Sequence, residues 1–169
     1  FVHMDVDGDD WGTAVVGGGS QDNGISISSD GGSSWWQSVG ADGGGFNIVD
    51  GMPHIMYMAF GYFNTGLAFI PHLSIDGGVD WFPILNGLPD SDVFYPALRL
   101  DGNNVAFIHY EHFVYRYDFG NNLWDQVGGP IPTLITEMTI TPQPGERVIY
   151  VCALPAAGVP GQLWVMDQY

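Results

Sequence analysis

Two segments of the sequence follow one pattern, S-x-D-x-G-x-x-W, and this repeat constrains the fold more than any other feature. The copies run from Ser28 to Trp35 and from Ser74 to Trp81, and their aspartates, Asp30 and Asp76, lie 46 positions apart. A repeat of this length is one supersecondary unit that buries its apolar face only by stacking on its neighbours. The chain is therefore expected to be an array of similar units.

Further sequence features recur along the chain with the spacing of this repeat. Asp118 opens a degenerate third copy, which lacks the serine and carries its tryptophan one residue late. Apolar segments end in Asp7-Gly8, Asp50-Gly51 and Asp101-Gly102, with Pro144-Gly145 as a weaker fourth signal. β-branched and aromatic residues dominate the runs that follow, and none is long enough for a convincing helix. Short strands joined by tight turns are the expected structure.

Each unit reads as four antiparallel strands, which predicts an all-β fold of β-propeller blades. The blades cover about 1–40, 41–88, 89–130 and 131–169, and the last blade stops after its third strand, Gln162 to Asp167. The second blade has predicted strands at 43–50, 54–60, 66–75 and 81–85, and the third at 95–101, 104–110, 112–118 and 123–127. Four blades with one incomplete predict a single propeller domain over 1–169, or a fragment of a larger propeller.

The repeated motif resembles the Asp-box (BNR) hairpin of sialidases, xyloglucan-cleaving glycoside hydrolases, sortilin-like receptors and photosystem assembly factors. Two further segments, Gly17 to Gly24 and Ala41 to Asp50, are similar to stretches of bacterial members of this family. The resemblance covers residues 1–85 well, whereas residues 86–169 share only the spacing of strands and turns. It implies a propeller in an extracytoplasmic location: secreted, at the cell surface or periplasmic.

The motif residues are expected to be structural. A turn aspartate accepts hydrogen bonds from the backbone N–H groups of its own turn, glycine tolerates positive φ, and the tryptophan covers the hairpin. We expect both tryptophan side chains to be largely buried. The residues with this role are Ser28, Asp30, Gly32, Trp35, Ser74, Asp76, Gly78 and Trp81.

In a four-stranded meander, the turns between second and third strands lie on the same side as the links between blades. This side, away from the motif turns, is the expected ligand face. Its candidate residues are Gln21, Asp22, Asn23, Asp42, Tyr62, Asn64, Asp90, Asp92, Glu111 and His112. Two opposed carboxylates among them would suit glycoside hydrolysis. An acidic rim without catalytic function is the alternative.

Asp5, Asp7 and Asp9 form a D-x-D-x-D pattern whose oxygens suit Ca²⁺. The pattern resembles the calcium loop of integrin-type propellers, but Asp10 and Thr13 depart from it. Calcium is the one cofactor that the sequence suggests. A plain acidic turn without metal is the favoured interpretation.

Other residues favour ordinary roles. His109, Glu111 and His112 do not converge in a strand, so a zinc site is disfavoured against polar residues at a blade edge. The single cysteine, Cys152, lies in an apolar run and is expected to fill the core. The three arginines do not provide the substrate-binding triad of a sialidase.

The charge balance excludes several partners. There are 19 acidic residues against three arginines and no lysine, which gives a net charge of −16. Nucleic acid and anionic membrane surfaces require clustered basic residues and are not expected partners. No stretch approaches the roughly 20 apolar residues of a membrane-spanning helix.

Two functions remain open. The favoured one is a non-catalytic extracytoplasmic scaffold or binding module, and the alternative is a fragment of a secreted glycoside hydrolase acting on polysaccharide. Because the sequence begins with Phe1 and shows about 3.7 blades, we expect a mature or truncated piece. Its terminal blades are expected to dock to a protein partner or further chain. Carbohydrate is the second ligand class that the resemblance leaves open.

Overall fold

The computed structural model describes residues 3–7, 14–61, 69–90, 93–141, 143, 147–155 and 160–167. These residues form fifteen β-strands and contain no helix, as the sequence predicts. Consequently, the described part of the chain contains no helix that could cross a membrane. The strands belong to two compact units, Phe1–Ile84 and Leu85–Tyr169.

The first unit contains two four-stranded antiparallel sheets. Blade 1 has the order β1-β2-β3-β4 and blade 2 the order β5-β6-β7-β8. The strands are β1 (His3–Asp7), β2 (Val15–Ser20), β3 (Gly24–Ser28), β4 (Trp36–Val39), β5 (Asp42–Val49), β6 (Met52–Gly61), β7 (Ile70–Ser74) and β8 (Phe82–Pro83). Each sheet is an up-and-down meander, because every strand pairs with the strand that follows it in sequence.

The second unit contains one four-stranded and one three-stranded antiparallel sheet. Blade 3 has the order β12-β11-β10-β9 and blade 4 the order β13-β14-β15. The strands are β9 (Leu98–Leu100), β10 (Ala106–Tyr110), β11 (Phe113–Asp118), β12 (Leu123–Val127), β13 (Ile135–Ile140), β14 (Val148–Ala153) and β15 (Gln162–Asp167). Four consecutive antiparallel sheets of this kind are the blades of a β-propeller, so the predicted fold class is confirmed.

The core of the first unit lies where blade 1 meets blade 2. Ile25 and Ile27 from β3 are buried against Phe46, Ile48 and Met58 from blade 2. These apolar residues alternate along their strands, because successive side chains of a strand point to opposite faces of the sheet. Each blade therefore uses one face to cover its neighbour.

The core of the second unit has the same construction. Phe107 and Val114 of blade 3 are buried in one cluster with Met138, Ile149 and Val151 of blade 4. The burial pattern of β14 alternates strictly, with Ile149, Val151 and Ala153 pointing into this core. Val148, Tyr150 and Cys152 point the other way.

Several predicted details are wrong. Cys152 is exposed rather than a core residue, because it lies on the outer face of β14. Trp35 is 43% exposed, whereas it was expected to be buried. β8 and β9 are shorter than the strands predicted at 81–85 and 95–101. The third strand of blade 2 was predicted over 66–75, and the structure describes β7 only at 70–74.

Candidate functional site

The β2–β3 turn of blade 1 carries three of the candidate ligand-face residues. Gln21, Asp22 and Asn23 are exposed, and Asp22 adopts a positive φ of 62°. The backbone N–H of Asp22 donates to Oδ1 of Asp42 at 2.9 Å. Asp42 begins β5 and is buried, so one of its oxygens holds the turn of the preceding blade. The structure therefore brings these four candidates together, with Asp42 as the buried anchor.

Glycine backbones pack directly against each other beside this turn. A Cβ atom on Gly19 would overlap the carbonyl oxygen of Gly44, and one on Gly43 would overlap that of Gly24. Gly24 also needs its positive φ of 71°. The glycine-rich stretches of the sequence thus allow blades 1 and 2 to approach closely. Sequence reasoning missed this role.

The β10–β11 turn of blade 3 repeats the arrangement in the second unit. Glu111 has a positive φ of 51°, and its carbonyl accepts the N–H of Ile135 at 2.7 Å. The carbonyl of His112 accepts the N–H of Ile131 at 2.8 Å, and its Nδ1 lies 2.9 Å from the carbonyl oxygen of Ile131. In both units, a turn of one blade is thus bound to the segment that enters the next.

The remaining ligand-face candidates are not assembled into a site. Asp90 is an exposed residue of the second unit, in the segment that leads from blade 2 to blade 3. Tyr62, Asn64 and Asp92 lie outside the described residues. A common ligand face that unites the candidates of both units therefore stays a prediction.

The first motif turn, Ser28–Trp35, is closed by the carboxylate of Asp30. Oδ1 accepts the backbone N–H of Ser34 at 2.8 Å and the hydroxyl of Ser28 at 2.8 Å, and Oδ2 accepts the hydroxyl of Ser34 at 2.6 Å. The Ser28 hydroxyl in turn accepts the N–H of Gly32 at 2.8 Å. Hydrogen bonds from Ser34, then Ser28, lower the pKa of Asp30 to about 2.

The second motif turn, Ser74–Trp81, shares the serine hydroxyl bond and the backbone N–H bond from four residues ahead. Asp76 accepts the N–H groups of Val79 and Asp80 at 3.1 and 3.0 Å, and the hydroxyl of Ser74 at 2.8 Å. The bond from the N–H of Asp80, followed by that from Ser74, lowers the pKa of Asp76. Both aspartates therefore accept the backbone bonds that the sequence predicts. A carboxylate held ionised in this way is a poor proton donor.

The two motif tryptophans differ in what covers them. Nε1 of Trp81 donates to the Gly78 carbonyl at 3.1 Å and to the Ser38 hydroxyl of blade 1 at 2.8 Å. Nε1 of Trp35 donates to the Gly32 carbonyl at 3.0 Å in its own turn. Trp81 packs against the core between blades 1 and 2. Trp35 is the counterpart of Trp81 on a blade face that remains accessible.

The degenerate third turn keeps the aspartate without the serine. Asp118 accepts the N–H of Asn121 at 3.1 Å and its side-chain amide at 2.7 Å. These two bonds from Asn121 lower the pKa of Asp118. Trp124 is buried beside Tyr117. In this turn the side chain of Asn121 thus supplies a side-chain donor to the aspartate, as a serine hydroxyl does in the other two turns.

The predicted calcium ligands lie partly in a strand. Asp5 and Asp7 share one face of β1, where Asp5 Oδ2 accepts the N–H of Ile48 at 2.8 Å and Asp7 Oδ1 accepts that of Gly51 at 3.3 Å. Asp9 lies outside the described residues. No group of three or more His, Cys, Asp or Glu side chains in the described part of the chain could hold a metal. The calcium site stays a prediction.

The second unit contains a buried histidine that sequence reasoning did not assign to the interior. His109 of β10 is 1% exposed, and neither ring nitrogen has a hydrogen-bond partner among the described residues. Burial, with a smaller contribution from the charge of Arg99, lowers its pKa to about 4. The imidazole is therefore neutral at physiological pH.

The outer face of blade 4 is apolar and exposed. Tyr150 and Cys152 of β14 are the register partners of Val165 and Leu163 of β15, so all four side chains share one face. Leu163 is 65% exposed. The sequence contained a signal for this surface, since Leu163 to Met166 is apolar at every position, which is typical of a strand covered on both faces.

The outer face of blade 1 is the second exposed apolar surface. Met4 and Val6 alternate with Asp5 and Asp7 along β1, and Val6 is 62% exposed. Val16 is the register partner of Val6 on β2. Trp35 lies on this face by alternation, because the next residue, Trp36, pairs with the core residue Ile27.

Comparison with known proteins supports the fold. No protein-family model matches the chain, and no curated protein sequence matches it significantly. Among solved structures, the WD40 β-propeller domain of Doa1 has a TM-score of 0.56 at 15% identity, over 92% of this chain and 47% of that one. The GH74 enzyme of Niastella koreensis has a TM-score of 0.56 at 15% identity, over 90% and 28%.

YCF48 from Cyanidioschyzon merolae has a TM-score of 0.51 at 12% identity, over 96% of this chain and 58% of that one. At these identities, the similarity establishes the β-propeller fold and nothing finer. The chain spans between 28% and 58% of the length of these three structures.

Proposed function

We propose that this chain is a non-catalytic scaffold or binding module that docks to a protein partner through the outer faces of its terminal blades. The observation that carries the proposal is the exposed face of blade 4, formed by Tyr150, Cys152, Leu163 and Val165. A contiguous apolar surface on a soluble protein marks an interaction site. In a chain with 19 acidic residues, four uncharged neighbours on one sheet face are typical of the core of an interface.

The proposal includes membership of the Asp-box propellers. Support comes from the two motif turns, in which Asp30 and Asp76 each accept a serine hydroxyl and the N–H four residues ahead. An extracytoplasmic location follows from this resemblance and is part of the proposal. The propeller fold of the WD40 domain of Doa1 agrees with a scaffold role.

The alternative is a fragment of a secreted glycoside hydrolase, and its motivation is the fold shared with the GH74 enzyme. Catalysis would need two carboxylates opposed across a groove. Asp42, one of the candidates, is buried and occupied by the N–H of Asp22. This arrangement favours a structural role for Asp42 and thus the non-catalytic function.

A reducing-sugar assay against plant and bacterial polysaccharides tests the choice. The scaffold proposal predicts no release of reducing ends above that of a heat-denatured sample. Release that is lost in Asp22→Asn or Asp90→Asn, but kept in Asp125→Asn on β12, would establish the hydrolase instead. Asp125→Asn is the matched control because Asp125 is paired with Arg116 at 3.4 Å and is not a ligand-face candidate.

A further inference from the structure

We propose that the packed contact between blades 3 and 4 opens in mild acid, while each of the two blades keeps its own strands. This contact, called the seam, contains Phe107 and Val114 of blade 3 and Met138 and Val151 of blade 4. The group that makes the seam sensitive to acid is His109. The seam is separate from the outer face of blade 4, so the inference does not rest on the proposed docking function.

His109 points into the seam from β10. It is the register partner of Val114 and lies two positions after Phe107, and both of these residues belong to the core shared with blade 4. Residues two positions apart in a strand share one face, so the imidazole lies on the face that blade 4 covers. It is 1% exposed, and neither ring nitrogen has a hydrogen-bond partner among the described residues. The described residues therefore offer no acceptor to a protonated ring.

The second unit also contains the other buried polar atoms that lack a partner. In the described part of the chain, these are Oγ1 of Thr133 and Nε1 of Trp164, and none belongs to the first unit. Trp164 packs against the core of the seam from β15, and Thr133 lies in the segment between β12 and β13. Buried polar atoms without partners destabilise the contact that contains them. This destabilisation is thus concentrated in the unit that contains the seam.

All three arginines of the chain lie at the seam. Arg99 and Arg116 are the register partners of Phe107 on β9 and β11, so they share its face. Cζ of Arg147, from blade 4, lies 5.2 Å from the centroid of the Phe107 ring. The basic side chains of a chain with 19 acidic residues are thus gathered around the residue two positions before His109.

Each arginine already pairs with a carboxylate. The partners are Glu137 for Arg99 at 2.7 Å, Asp101 for Arg147 at 2.6 Å and Asp125 for Arg116 at 3.4 Å. The first two pairs join blade 3 to blade 4. Three cations and three carboxylates balance, so a proton on His109 would add a fourth cation without a partner of its own. Such a charge is costly to bury.

The β10–β11 turn carries the other titratable groups beside His109. Burial, followed by the charge of Glu111, raises the pKa of Tyr115, which lies on the opposite face of β11 because it pairs with Ile108. Nδ1 of His112 lies 2.9 Å from the carbonyl oxygen of Ile131. Neither Glu111 nor His112 has a hydrogen bond to the His109 ring.

These surroundings determine how the seam responds to acid. Burial, followed by the charge of Arg99, lowers the pKa of His109 from 6.5 to about 4. An open seam exposes the imidazole to water and restores its ordinary pKa. As the pH falls below 6.5, the open seam takes up a proton that the closed seam does not, so acid favours the open form.

The contact between blades 1 and 2 provides the comparison. Burial also lowers the pKa of His72 on β7, but this ring is only partly buried, and its Nδ1 lies 3.1 Å from the carbonyl oxygen of Ile70. No arginine occurs in the sequence of the first unit. A protonated His72 would therefore be opposed less strongly, and acid should act first on the seam.

Thiol labelling at matched buried positions tests the inference. In a Cys152→Ser background, Met138→Cys places the only thiol in the seam, and Met58→Cys places it between blades 1 and 2. Both methionines are 1% exposed. The folded 169-residue protein is treated with a pyridyl disulfide reagent that reacts in acid. Each rate is divided by the rate of the same variant unfolded in urea at the same pH.

The normalised rate of Met138→Cys should rise roughly sevenfold from about pH 6 to about pH 5, as expected for a pKa of about 4 in the closed seam and 6.5 in the open one. Val151→Cys, at a 0% exposed position of the seam, should show the same rise. Met58→Cys should change much less. Ala106→Cys should also stay protected, because it lies on the opposite face of β10 and blade 3 keeps its strands.

Two replacements of His109 separate its charge from its size. Combined with Met138→Cys, both His109→Phe and His109→Gln should abolish the acid-dependent rise, because neither side chain takes up a proton. His54→Gln, at an exposed position of blade 2, should keep the rise and is the matched control.

Three results would overturn the inference. A normalised rate that stays flat at both seam positions would mean that the seam does not open in acid. A rise that survives both replacements of His109 would assign the effect to another group. An equal rise in Met58→Cys or Ala106→Cys would mean that acid unfolds more than the seam.

Discussion

Nε1 of Trp81 lies 2.8 Å from the hydroxyl oxygen of Ser38, which joins the second motif turn to the last strand of blade 1. The same hydroxyl donates to the carbonyl of Gly78, so one serine satisfies two groups of the neighbouring blade. The contact shows that a motif turn closes its own hairpin and also joins two neighbouring blades. Its energetic contribution can be measured directly.

Ser38→Ala should lower the free energy of unfolding by about 1 kcal/mol, because it removes the partner of a partly buried indole N–H. Ser29→Ala, at an exposed site in the first motif turn, should change stability by less than about 0.5 kcal/mol. Chemical denaturation measures both. A double-mutant cycle of Ser38→Ala with Trp81→Phe should give a coupling energy, and strict additivity would show that the contact contributes nothing.

Asp30 should make stability depend on pH in the acid range. Its pKa is about 2 in the fold, below the ordinary value of 3.8, so the stabilisation is present above pH 3.8 and is lost as the pH falls toward 2. Asp30→Asn should show a shallower loss of stability over that window. An unchanged slope, from urea denaturation at several pH values, would contradict the hydrogen bonds assigned to this carboxylate.

The Arg147–Asp101 ion pair should be the strongest of the three described ones. Asp101 is buried and accepts the Arg147 guanidinium at 2.6 Å, together with the N–H groups of Asn103 and Val105 at 2.9 Å. Arg147→Met should destabilise the protein by about 3 kcal/mol, because it leaves a buried carboxylate without its cation. The measurement is the midpoint of chemical denaturation.

Arg116→Met is the matched control for that variant. Arg116 and Asp125 are 3.4 Å apart and both substantially exposed, so the loss should be below about 1 kcal/mol. Equal effects of the two substitutions would mean that burial does not distinguish the two pairs.

His109 should destabilise the fold in mild acid. Its pKa is about 4 in the fold against 6.5 for the free side chain, so the unfolded chain takes up the proton first as the pH falls. The free energy of unfolding should therefore decrease by about 3 kcal/mol as the pH falls from 6.5 to 4. Below about pH 4, His109 should cause no further decrease.

His109→Phe should remove that dependence. At pH 7 it should also raise the free energy of unfolding by about 1 kcal/mol, because apolar atoms replace two ring nitrogens that have no hydrogen-bond partner among the described residues. Denaturation curves at roughly pH 7, 5.5 and 4.5 provide the comparison, because these values span the titration of a histidine. A variant with the same pH profile as the wild type would show that folding does not lower the pKa of His109.

Local features of this fold could be predicted from sequence, because they depend on residues close together in the chain. The bounds of β12 and β15 match the predicted 123–127 and 162–167, since turn residues precede both strands. The hydrogen bonds of Asp30 and Asp76 also follow from their own turns. The propeller class follows from the repeat.

Features that depend on distant residues were missed. The exposure of Trp35 depends on which blade covers it, and no local pattern reports this. Cys152 was expected inside because its neighbours are apolar, but the opposite face of the same strand is equally apolar. Gly19 and Gly43 gain their role from a close backbone approach between two blades. Of the candidate ligand face, only the residues joined through Asp42 and those of the β10–β11 turn could be assembled.

Static light scattering of the intact chain over a wide range of concentration tests the docking claim most directly. An exposed apolar docking surface that lacks its partner associates with itself, so the account predicts a mass above that of one chain, rising with concentration, for the wild type and for Asp125→Asn. Val165→Asp should return the mass to that of a single chain at the same concentrations, with an unchanged melting temperature. A single-chain mass for the wild type at every concentration would contradict the account.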